Sequence, residues 1–393
     1  MKGNLTERKP GVWELRFDLP RGVDGKRRLK TVTFHGGVRA AQKELARLIS
    51  EGQAGKIAPA SRTTVEQYIT GWLEKRAAEG LSPVTIETWG YLMRGYIIPH
   101  VGSLPLNKLS EVHVDGLYTT LRTSGRRKGE GGVSARTVHH VHRLLSEVLK
   151  SAVRLKLIPS NPAEFAAPRL TDQPRSVAEK DRIKELLTGG GMQRLLSEAE
   201  GSWLHLPILF ALFLGLRRGE CLGLRWQDVD LKRGELRVEQ ALKFIRGKGL
   251  VFLPPKTESG RRTVRLPEFI VAELVKHKAA QAAHRLQIGP GWQDSGLVIQ
   301  QDDTGGPRTP DNLTHAYAKL ADRVGLGVLH FHDLRHGNAT LLMVAGVSTK
   351  AISARLGHSD TQITRDLYQH VLPEMDDEAA SKTDDFFKKA MGG

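Results

Sequence analysis

The stretch HFHDLRHGNATLLMVAG, residues 330–346, combines helical periodicity with two polar side chains of chemical interest. His332 and Arg335 are three residues apart, so they share one face of a helix. The apolar positions fall on the opposite side and are Leu334, Leu341, Leu342 and Ala345. This pattern predicts a helix that packs in a core and presents a histidine and an arginine to a polar site.

Two further stretches carry basic residues beside predicted core elements. In FLGLRRGECLGLRWQDVD, Arg217 follows an apolar helical run and Glu220 lies three residues on. In VFLPPKTESGRRTVRL, two strands joined by a turn are predicted, and Lys256 ends the first strand. Lys243 and Lys248 are alternatives, but the position of Lys256 before the turn and the second strand favours it.

The last well-patterned stretch is LGHSDTQITRDLYQHV, residues 356–371. Ser359 and Gln362 form a capping-box pattern, which predicts that a helix begins there and continues to the end of the stretch. Tyr368 lies on the flank of the apolar row of this helix. His358 precedes it by ten residues, in a tight Leu-Gly-His turn. A phenol is therefore predicted at the edge of a packed helix rather than at its centre.

Taken singly, each of these side chains is more often structural than functional. Together, the arginines, the lysine, the histidines and the tyrosine suit a transfer reaction at a phosphodiester. Guanidinium groups stay charged at physiological pH and bind phosphate oxygens as a fork. A phenol becomes a nucleophile when a cationic pocket or a base helps it to ionise, and a lysine can protonate the leaving oxygen. A phosphotyrosyl link would conserve the energy of the broken bond, and no GxxxxGK[ST] nucleotide loop is present.

A metal-dependent nuclease is a weaker interpretation. His332 and His336 have the spacing of half a zinc site, but the HExxH pattern is absent. The string HHVH at 139–142 has no cysteine or carboxylate at matching spacing. We therefore expect neither a metal nor any other cofactor.

The composition is that of a folded protein of two or three domains. The chain has 393 residues, of which 39% are hydrophobic and 26% are charged. Its single cysteine, Cys221, excludes disulfides within the chain and suits a reducing compartment. No apolar run is long enough to span a membrane, and the N-terminus lacks the apolar core of a signal peptide. These features predict a cytoplasmic protein.

The net charge of +16 is unevenly distributed. Basic and acidic residues number 13 and 6 in residues 1–60, 16 and 10 in residues 61–175, and 30 and 27 in residues 176–393. This asymmetry predicts that the N-terminal half holds a polyanion.

The patterning divides the chain into three blocks and a connection. Residues 1–55 are predicted to form a small sheet with one helix, with strands at 12–18 and 27–34 and the helix at 38–50. Residues 61–158 are predicted to be helical throughout, at 63–79, 84–98, 110–122 and 134–156. Residues 159–175 contain four prolines and are predicted to be an extended linker.

The third block, residues 176–393, is predicted to mix helices with short strands. Its helices are expected at about 176–187 and 202–222, its strands at about 235–240, 250–254 and 262–266, and further helices beyond. A tail over 374–393 has the pattern of a short helix that could dock on a neighbouring protomer. The fold class is therefore mainly α with small antiparallel β-sheets, an α+β class, in a multidomain chain.

The motifs GLRRGE, the Lys256 segment, HDLR, LGH and the downstream tyrosine, in this order, closely resemble the catalytic domain of the tyrosine recombinases, specifically the phage-type integrases. They span residues 215–371. The first two blocks are similar to the arm-type DNA-binding domain and the helical core-binding domain of that family. Gly337 and Asn338 depart from the small hydroxyl residues expected after HDLRH. The resemblance implies a site-specific DNA recombinase, an integrase of a phage or mobile element.

The resemblance also implies a role for each member of the set. Arg217 and Arg335 would clamp the scissile phosphate, and His358 would hydrogen-bond it. Glu220 would support these neighbours.

The remaining members would handle protons and form the covalent bond. Lys256 would act as general acid toward the 5′ hydroxyl, and His332 would assist proton transfer or orient the phosphate. Tyr368 would attack phosphorus to form a 3′-phosphotyrosyl intermediate, without metal or ATP.

The partners implied are double-stranded DNA of core and arm type, three further copies of the chain in a tetramer on DNA, and a directionality factor. The expected location is the cytoplasm of a bacterial host, on the nucleoid. Basic residues of the first two blocks are candidates for backbone contact, namely Arg27, Arg28, Lys30, Arg126, Arg127, Lys128, Arg136 and Arg143.

Three related functions rank lower. A chromosome-dimer resolvase or a type IB topoisomerase would not need the basic N-terminal block. A regulator without catalysis would be expected to lose part of the catalytic set, and all six positions are filled.

Overall fold

The structure is a computed structural model that describes residues 3–20, 27–53, 62–127, 129–166, 168, 183–187, 190–255, 257–327 and 329–357. The chain divides into two compact units, Met1–Gln173 and Pro174–Gly393. Several predicted features lie outside the described residues, namely Lys128, Lys256, His358, Tyr368, the helix at the end of 356–371 and the tail 374–393.

A three-stranded antiparallel sheet with one helix begins the first unit. Its elements are β1 (Gly3–Lys9), β2 (Val12–Leu19), β3 (Arg28–His35) and α1 (Val38–Gln53), and the strands pair in chain order. Alternate residues of β2, Leu15, Phe17 and Leu19, are buried in a core shared with α1. The sequence did not predict β1 because Leu5 is its only large apolar residue, and Leu5 pairs opposite Leu15.

The described residues beyond α1 in the first unit are mainly helical. They are α2 (Val65–Ala78), α3 (Pro83–Leu92), α4 (Ile98–Val101), α5 (Glu111–Ser124), α6 (Ala135–Arg154) and α7 (Pro162–Phe165). A π-helical turn, Met93–Ile97, continues α3 into α4, over the span predicted as one helix at 84–98. The long helix α6 contributes one buried row to the core, including Val141, Leu145 and Val148.

The first part of the predicted linker at 159–175 contains a short helix, α7, instead of an extended chain. Asn161 caps α7 by accepting a hydrogen bond from the Ala163 N–H at 3.0 Å. Ala163 and Ala166 are buried in the core of the helical module. The prolines of this stretch had suggested an extended chain, but Pro162 occupies the first helical position, where proline is favoured.

The second unit combines helices with a small sheet and a separate hairpin. Its helices are α8 (183–187), α9 (Gly191–Ala199), α10 (His205–Phe213), α11 (Arg218–Gly223), α12 (Glu268–Ile288), α13 (Pro310–Arg323), α14 (Phe331–Val344) and α15 (Thr349–Leu356). Its strands are β4 (Val229–Asp230), β5 (Glu235–Val238), β6 (Ala241–Ile245), β7 (Gly249–Leu253) and β8 (Arg262–Arg265). The predicted class, mainly α with small antiparallel sheets, is confirmed.

The strand pairing differs from the prediction around position 256. The strands predicted at 250–254 and 262–266 are not partners of each other, because β7 pairs with β6 and β8 pairs with β5. The unpredicted strand β6 turns into β7 at Gly247, whose φ of +80° suits a tight turn. The sheet order is β4-β5-β8, so the segment around Lys256 connects two separate sheets.

The helix predicted at 202–222 is two helices. Gly215 adopts a φ of +67°, and a side chain there would clash with Leu356. Arg217 follows with an extended backbone, φ −74° and ψ 154°, before α11 begins. The break places Arg217 at the N-terminal end of a helix instead of within one.

Helix α14 packs closely against its neighbours at Gly337. A Cβ at this position would lie 3.2 Å from Leu186 Cδ2 and 3.4 Å from Leu212 Cδ1. Asn338, the next residue, is only 2% exposed. The two positions that depart from the family pattern are therefore packing positions in this chain.

Within the described residues, no helix has the length and apolarity that a membrane span requires.

Candidate active site

Arg217 and Glu220 form the N-terminal end of α11. The Arg217 backbone N–H donates to Glu220 Oε2 at 2.9 Å, and Arg217 Nη1 donates to Glu220 Oε1 at 2.8 Å. This reciprocal arrangement follows from their three-residue spacing. The Arg217 side chain is 39% exposed, so part of its guanidinium can meet a ligand.

Glu220 is buried, and a second arginine holds it. Its side chain is 5% exposed, and Arg262 on β8 donates to Oε2 at 2.8 Å from Nη2 and to Oε1 at 3.3 Å from Nη1. Burial opposes ionisation, but the hydrogen bonds and charge of Arg262, and then those of Arg217, outweigh it and lower the pKa of Glu220 to about 2. Glu220 is therefore a carboxylate at neutral pH.

Three arginines from separate elements donate to consecutive carbonyls at the C-terminal end of α15. The pairs are Arg262 Nε to Arg355 O at 2.7 Å, Arg335 Nη2 to Leu356 O, and Arg217 Nη2 to Gly357 O at 3.1 Å. The last carbonyls of a helix have no helical donors, and positive charge is favourable there. We call this set of three donors and three acceptors the arginine clamp.

Arg335 is buried, which corrects the prediction that it lies on a polar face. It is 2% exposed, and its terminal nitrogens donate to the carbonyls of Gly215 and Leu356. Burial, and then the charge of Arg217, lower the pKa of Arg335 to about 9, so it stays protonated at neutral pH. The prediction was wrong because distant parts of the chain supply the carbonyls of Gly215 and Leu356, which accept hydrogen bonds from the buried guanidinium.

His332 does lie on the exposed side of α14. Its ring meets that of His336 edge to face, with the centroids 4.8 Å apart. On the side predicted to be apolar, Leu334 is buried but Ala345 is exposed. The buried surface of α14 is thus wider than the predicted apolar side near the start of the helix, where it includes Asp333, Arg335 and Asn338.

Neighbouring basic residues point elsewhere. Arg218 donates to Pro310 O at 3.3 Å and to Thr314 Oγ1 at 2.5 Å, on α13. Lys243 is exposed on β6. The adjacent arginines 217 and 218 therefore serve different contacts.

Arg262 was missed by the sequence analysis. Its side chain is 5% exposed although it follows another arginine in the stretch GRRTVRL. Alternation along β8 gave a usable signal, because Arg262 shares a strand face with Val264 and Leu266, which are 1% and 9% exposed. An arginine that lies two and four residues before core residues in an extended segment is expected to point inward as they do.

Comparison with known proteins agrees with this geometry. Residues 185–375 match the sequence model of the phage integrase family. The chain belongs to this family, the tyrosine recombinases. It is a site-specific integrase that cleaves and rejoins DNA strands.

The sequences of individual relatives align with most of this recombinase. A tyrosine recombinase XerC-like protein of Caldanaerobacter subterraneus is 26% identical over 82% of this chain and 83% of its own length. An integrase of Streptomyces ambofaciens is 28% identical over 89% of this chain and 87% of its own length. A solved structure of the Tn1549 transposon integrase, in complex with transposon right end DNA, shares the fold with a TM-score of 0.64 at 21% identity, over 80% of this chain and 99% of that chain.

In the N-terminal sheet of the recombinase, the basic residues proposed for DNA contact differ in their exposure. Arg27 is exposed and donates to Asp18 Oδ1 at 2.8 Å. Arg28 and Lys30 are half-buried on β3, opposite Leu19 and Phe17 of β2. They therefore lie on the face of the sheet that α1 covers, and in an edge strand of that sheet.

The helical module presents its candidates on the surface. Arg126 folds onto its own loop, with Nε donating to Gly132 O at 3.2 Å. Arg127 stacks over the Tyr91 ring at 5.1 Å. Arg136 and Arg143 are exposed along one face of α6.

The histidine string at 139–142 does not form a metal cluster. His142 Nδ1 lies 3.0 Å from the Tyr118 hydroxyl, inside the helical core. Within the part of the chain that the structure describes, no group of three or more His, Cys, Asp or Glu side chains could hold a metal ion.

The low pKa of Glu220 predicts how its removal affects stability at different pH. A carboxyl whose pKa falls on folding, from about 4.3 to about 2, stabilises the fold above its unfolded pKa and loses that contribution as pH falls toward its folded pKa. We expect Glu220→Gln to lower the free energy of unfolding by roughly 3 kcal/mol at pH 7. The difference from the unaltered chain should shrink progressively below about pH 4.5.

Urea unfolding at pH 7, 5 and 3 measures this difference. Glu198→Gln, which removes an exposed partner of Arg323, is the matched control and should change little at any pH. A loss that is equally large at pH 7 and pH 3 would contradict the assignment of an ionised Glu220.

Proposed function

We propose that this recombinase integrates the DNA of a phage or other mobile element through a 3′-phosphotyrosyl intermediate on Tyr368, without metal or ATP. The observation that carries the proposal is the arginine clamp. Arg217 and Arg335 meet at Leu356 and Gly357, and the next residue in the chain is His358. Two cationic groups are thus fixed where the sequence leads into the segment of the proposed nucleophile.

In the proposed reaction, the Tyr368 oxygen attacks the scissile phosphorus. The new bond joins the phenolic oxygen to phosphorus, and the bond from phosphorus to the 5′ oxygen breaks. The phenol gives up its proton, and the leaving 5′ oxygen gains one. Rejoining runs through the same steps in reverse, with a 5′ hydroxyl as the nucleophile, so the phosphodiester is restored without an external energy source.

Arg217 and Arg335 would stabilise the negative charge that develops on the non-bridging oxygens. A guanidinium has five N–H groups, and the two carbonyl bonds of Arg335 use only two of them. Arg217 is partly exposed, with its orientation set by Glu220. Rigid donors of this kind need little reorganisation when the charge develops.

The remaining roles follow the family pattern. Lys256 would protonate the leaving 5′ oxygen, and His332, on the exposed side of α14, would assist proton transfer or orient the phosphate. His358 would hydrogen-bond the phosphate. A substrate in which sulfur replaces the leaving 5′ oxygen separates these roles. Only Lys256 should become dispensable for the rate of cleavage of this substrate.

A suicide substrate tests the proposed function. A half-site with a nick beside the scissile phosphate releases a short strand after cleavage, so the covalent protein–DNA adduct accumulates. We expect an adduct on denaturing gels in the presence of a chelator, because the chemistry uses arginines in place of a metal. Free DNA ends without an adduct, and only in added divalent ion, would instead indicate a nuclease.

The proposed partners are core-type and arm-type duplex DNA, with four protomers on paired sites and a directionality factor for excision, in the cytoplasm of a bacterial host. The charge excess of residues 1–60, with 13 basic against 6 acidic residues, supports a separate DNA contact by the first block. The exposed Arg136 and Arg143 on α6 support backbone contact by the helical module.

Removal of residues 1–60 should separate the two classes of site. We expect the truncated recombinase to lose affinity for arm-type DNA and to keep cleavage of core half-sites, because the clamp residues all belong to the second unit. Mobility-shift titrations at several salt concentrations measure both affinities. The affinity of the full-length protein should fall more steeply with salt than that of the truncated protein. Equal loss at both kinds of site would refute this division of labour.

A further inference from the structure

Arg262 is the one member of the arginine clamp that has no assigned role in the reaction. It lies on β8, outside the motifs that contain Arg217 and Arg335. All three of its guanidinium nitrogens donate to acceptors of the protein itself, whereas Arg335 donates to two carbonyls and Arg217 is partly exposed. A buried arginine with no contact to the reacting atoms acts through its neighbours.

The contacts of Arg262 join three elements. Its Nη2 and Nη1 donate to the two oxygens of Glu220 on α11, at 2.8 and 3.3 Å. Its Nε donates to Arg355 O, in the last turn of α15, at 2.7 Å, and Nη1 also reaches Gly260 O at 3.2 Å. One planar side chain therefore fixes both the carboxylate that orients Arg217 and the end of α15.

The approach of Arg262 to the end of α15 is tight. A Cβ on Gly357 would lie 3.2 Å from Arg262 Cδ and from Arg262 Nη1, and 2.7 Å from Ser259 O. Gly357 also has a φ of +67°, which disfavours any other residue. The peptide that precedes His358 thus packs directly on the Arg262 side chain.

We propose that Arg262 is a positioning residue for strand cleavage. It holds Glu220, and through it the Arg217 guanidinium, in register with the end of α15, where the chain continues to His358 and Tyr368. Arg262 thereby links Arg217, which would bind the phosphate, and the segment that carries the nucleophile to one rigid group. This inference rests on the proposed function, since the geometry matters only if Arg217 and Tyr368 act on the same phosphorus.

The competing interpretation is that Arg262 only neutralises a buried carboxylate. An arginine with that role could be replaced by lysine, which retains the charge and one bond to Glu220, with a loss of stability alone. A positioning arginine could not be replaced in this way, because an ammonium group cannot reproduce the fork to Glu220 together with the bond to Arg355 O.

The expected effect is on the chemical step. Outer partners that orient reacting groups typically contribute about 10- to 100-fold to activity where they have been removed around metal ligands, and we expect a loss of that size for Arg262→Lys. The affinity for core DNA should stay within about twofold, because Arg262 is buried.

The test is the single-turnover rate of adduct formation on a nicked half-site, together with the Kd for the same DNA measured without cleavage. Arg265→Lys is the matched control, since Arg265 is on the same strand but is 76% exposed and pairs with Glu235 at 3.1 Å. Slow cleavage by Arg262→Lys at unchanged Kd, with normal cleavage by Arg265→Lys, supports the proposal. Cleavage by Arg262→Lys at the unaltered rate overturns it, as does a parallel fall in rate and affinity.

A second variant covers the case in which Arg262→Lys fails to fold. The pair Glu220→Gln with Arg262→Met removes both buried charges and keeps their volume, which proteins often tolerate. This double variant should fold and bind core DNA but cleave slowly, and normal cleavage would overturn the proposal. Adduct formation by the unaltered chain is measured alongside, because its absence would count against the proposed function and not against the role of Arg262.

Discussion

Replacement of Tyr368 by phenylalanine is expected to abolish covalent joining to DNA. The substitution removes the single oxygen that we propose to attack phosphorus and keeps the aromatic ring. On a nicked half-site, the adduct should fall from most of the bound DNA to background. The affinity for uncleaved core DNA should be retained, because the residues that we propose to bind DNA are other, basic side chains.

Tyr317→Phe is the control for loss of a phenolic hydroxyl from the same unit. Tyr317 is 1% exposed, and its hydroxyl has no hydrogen-bond partner among the residues that the structure describes. Removal of an unpartnered buried hydroxyl should leave cleavage and stability nearly unchanged. Adduct formation by Tyr368→Phe at even a tenth of the normal amount would mean that another residue is the nucleophile.

Replacement of Arg217 by alanine is expected to slow cleavage by about two to three orders of magnitude, the effect of losing one fixed donor to a developing oxyanion. Glu220 would keep its two bonds to Arg262, so the end of α11 should stay folded. Arg217→Lys should recover little of the rate, because a point charge does not reproduce the planar fork that bonds Gly357 O and that we propose to bind phosphate. Single-turnover rates with saturating protein measure the chemical step directly.

Arg218→Ala provides a matched control at the adjacent position. Its side chain bonds to α13 instead of Glu220, at Thr314 Oγ1 and Pro310 O. Its removal should change the cleavage rate by less than about threefold, as expected for a partly exposed contact. If both alanine variants lose activity equally, the distinction between these two arginines is wrong.

Local patterns predicted much of the fold. The spacing of Arg217 and Glu220, the strands β2 and β3 and the long helix α6 follow from periodicity and capping, which depend on residues close in sequence. The same holds for the predicted fold class. These features need no knowledge of distant contacts.

The features that sequence analysis missed depend on distant contacts. Gly215 breaks a run of apolar residues that looks continuous, because a carbonyl there accepts a bond from Arg335, far along the chain. Strand β8 pairs with β5, although the nearer strand β7 was the expected partner. Local patterning cannot choose between partners that differ only in tertiary position.

The arginine clamp illustrates the same limit within the site. Arginine is expected at the surface, so Arg335 and Arg262 were assigned to a polar face or not assigned at all. Their burial is explained by acceptors on other elements, the Glu220 carboxylate and the carbonyls that end α15. Only the alternation of Arg262 with Val264 indicated this from sequence.

The most direct test of the central claim is to identify the amino acid that becomes joined to DNA. Adduct trapped on a half-site is digested with trypsin and nuclease, and the peptide that retains a nucleotide is sequenced by mass spectrometry. The account predicts the modified peptide DLYQHVLPEMDDEAASK, which contains Tyr368 as its single tyrosine. A nucleotide on any other residue, or cleaved DNA with no modified peptide, would contradict it.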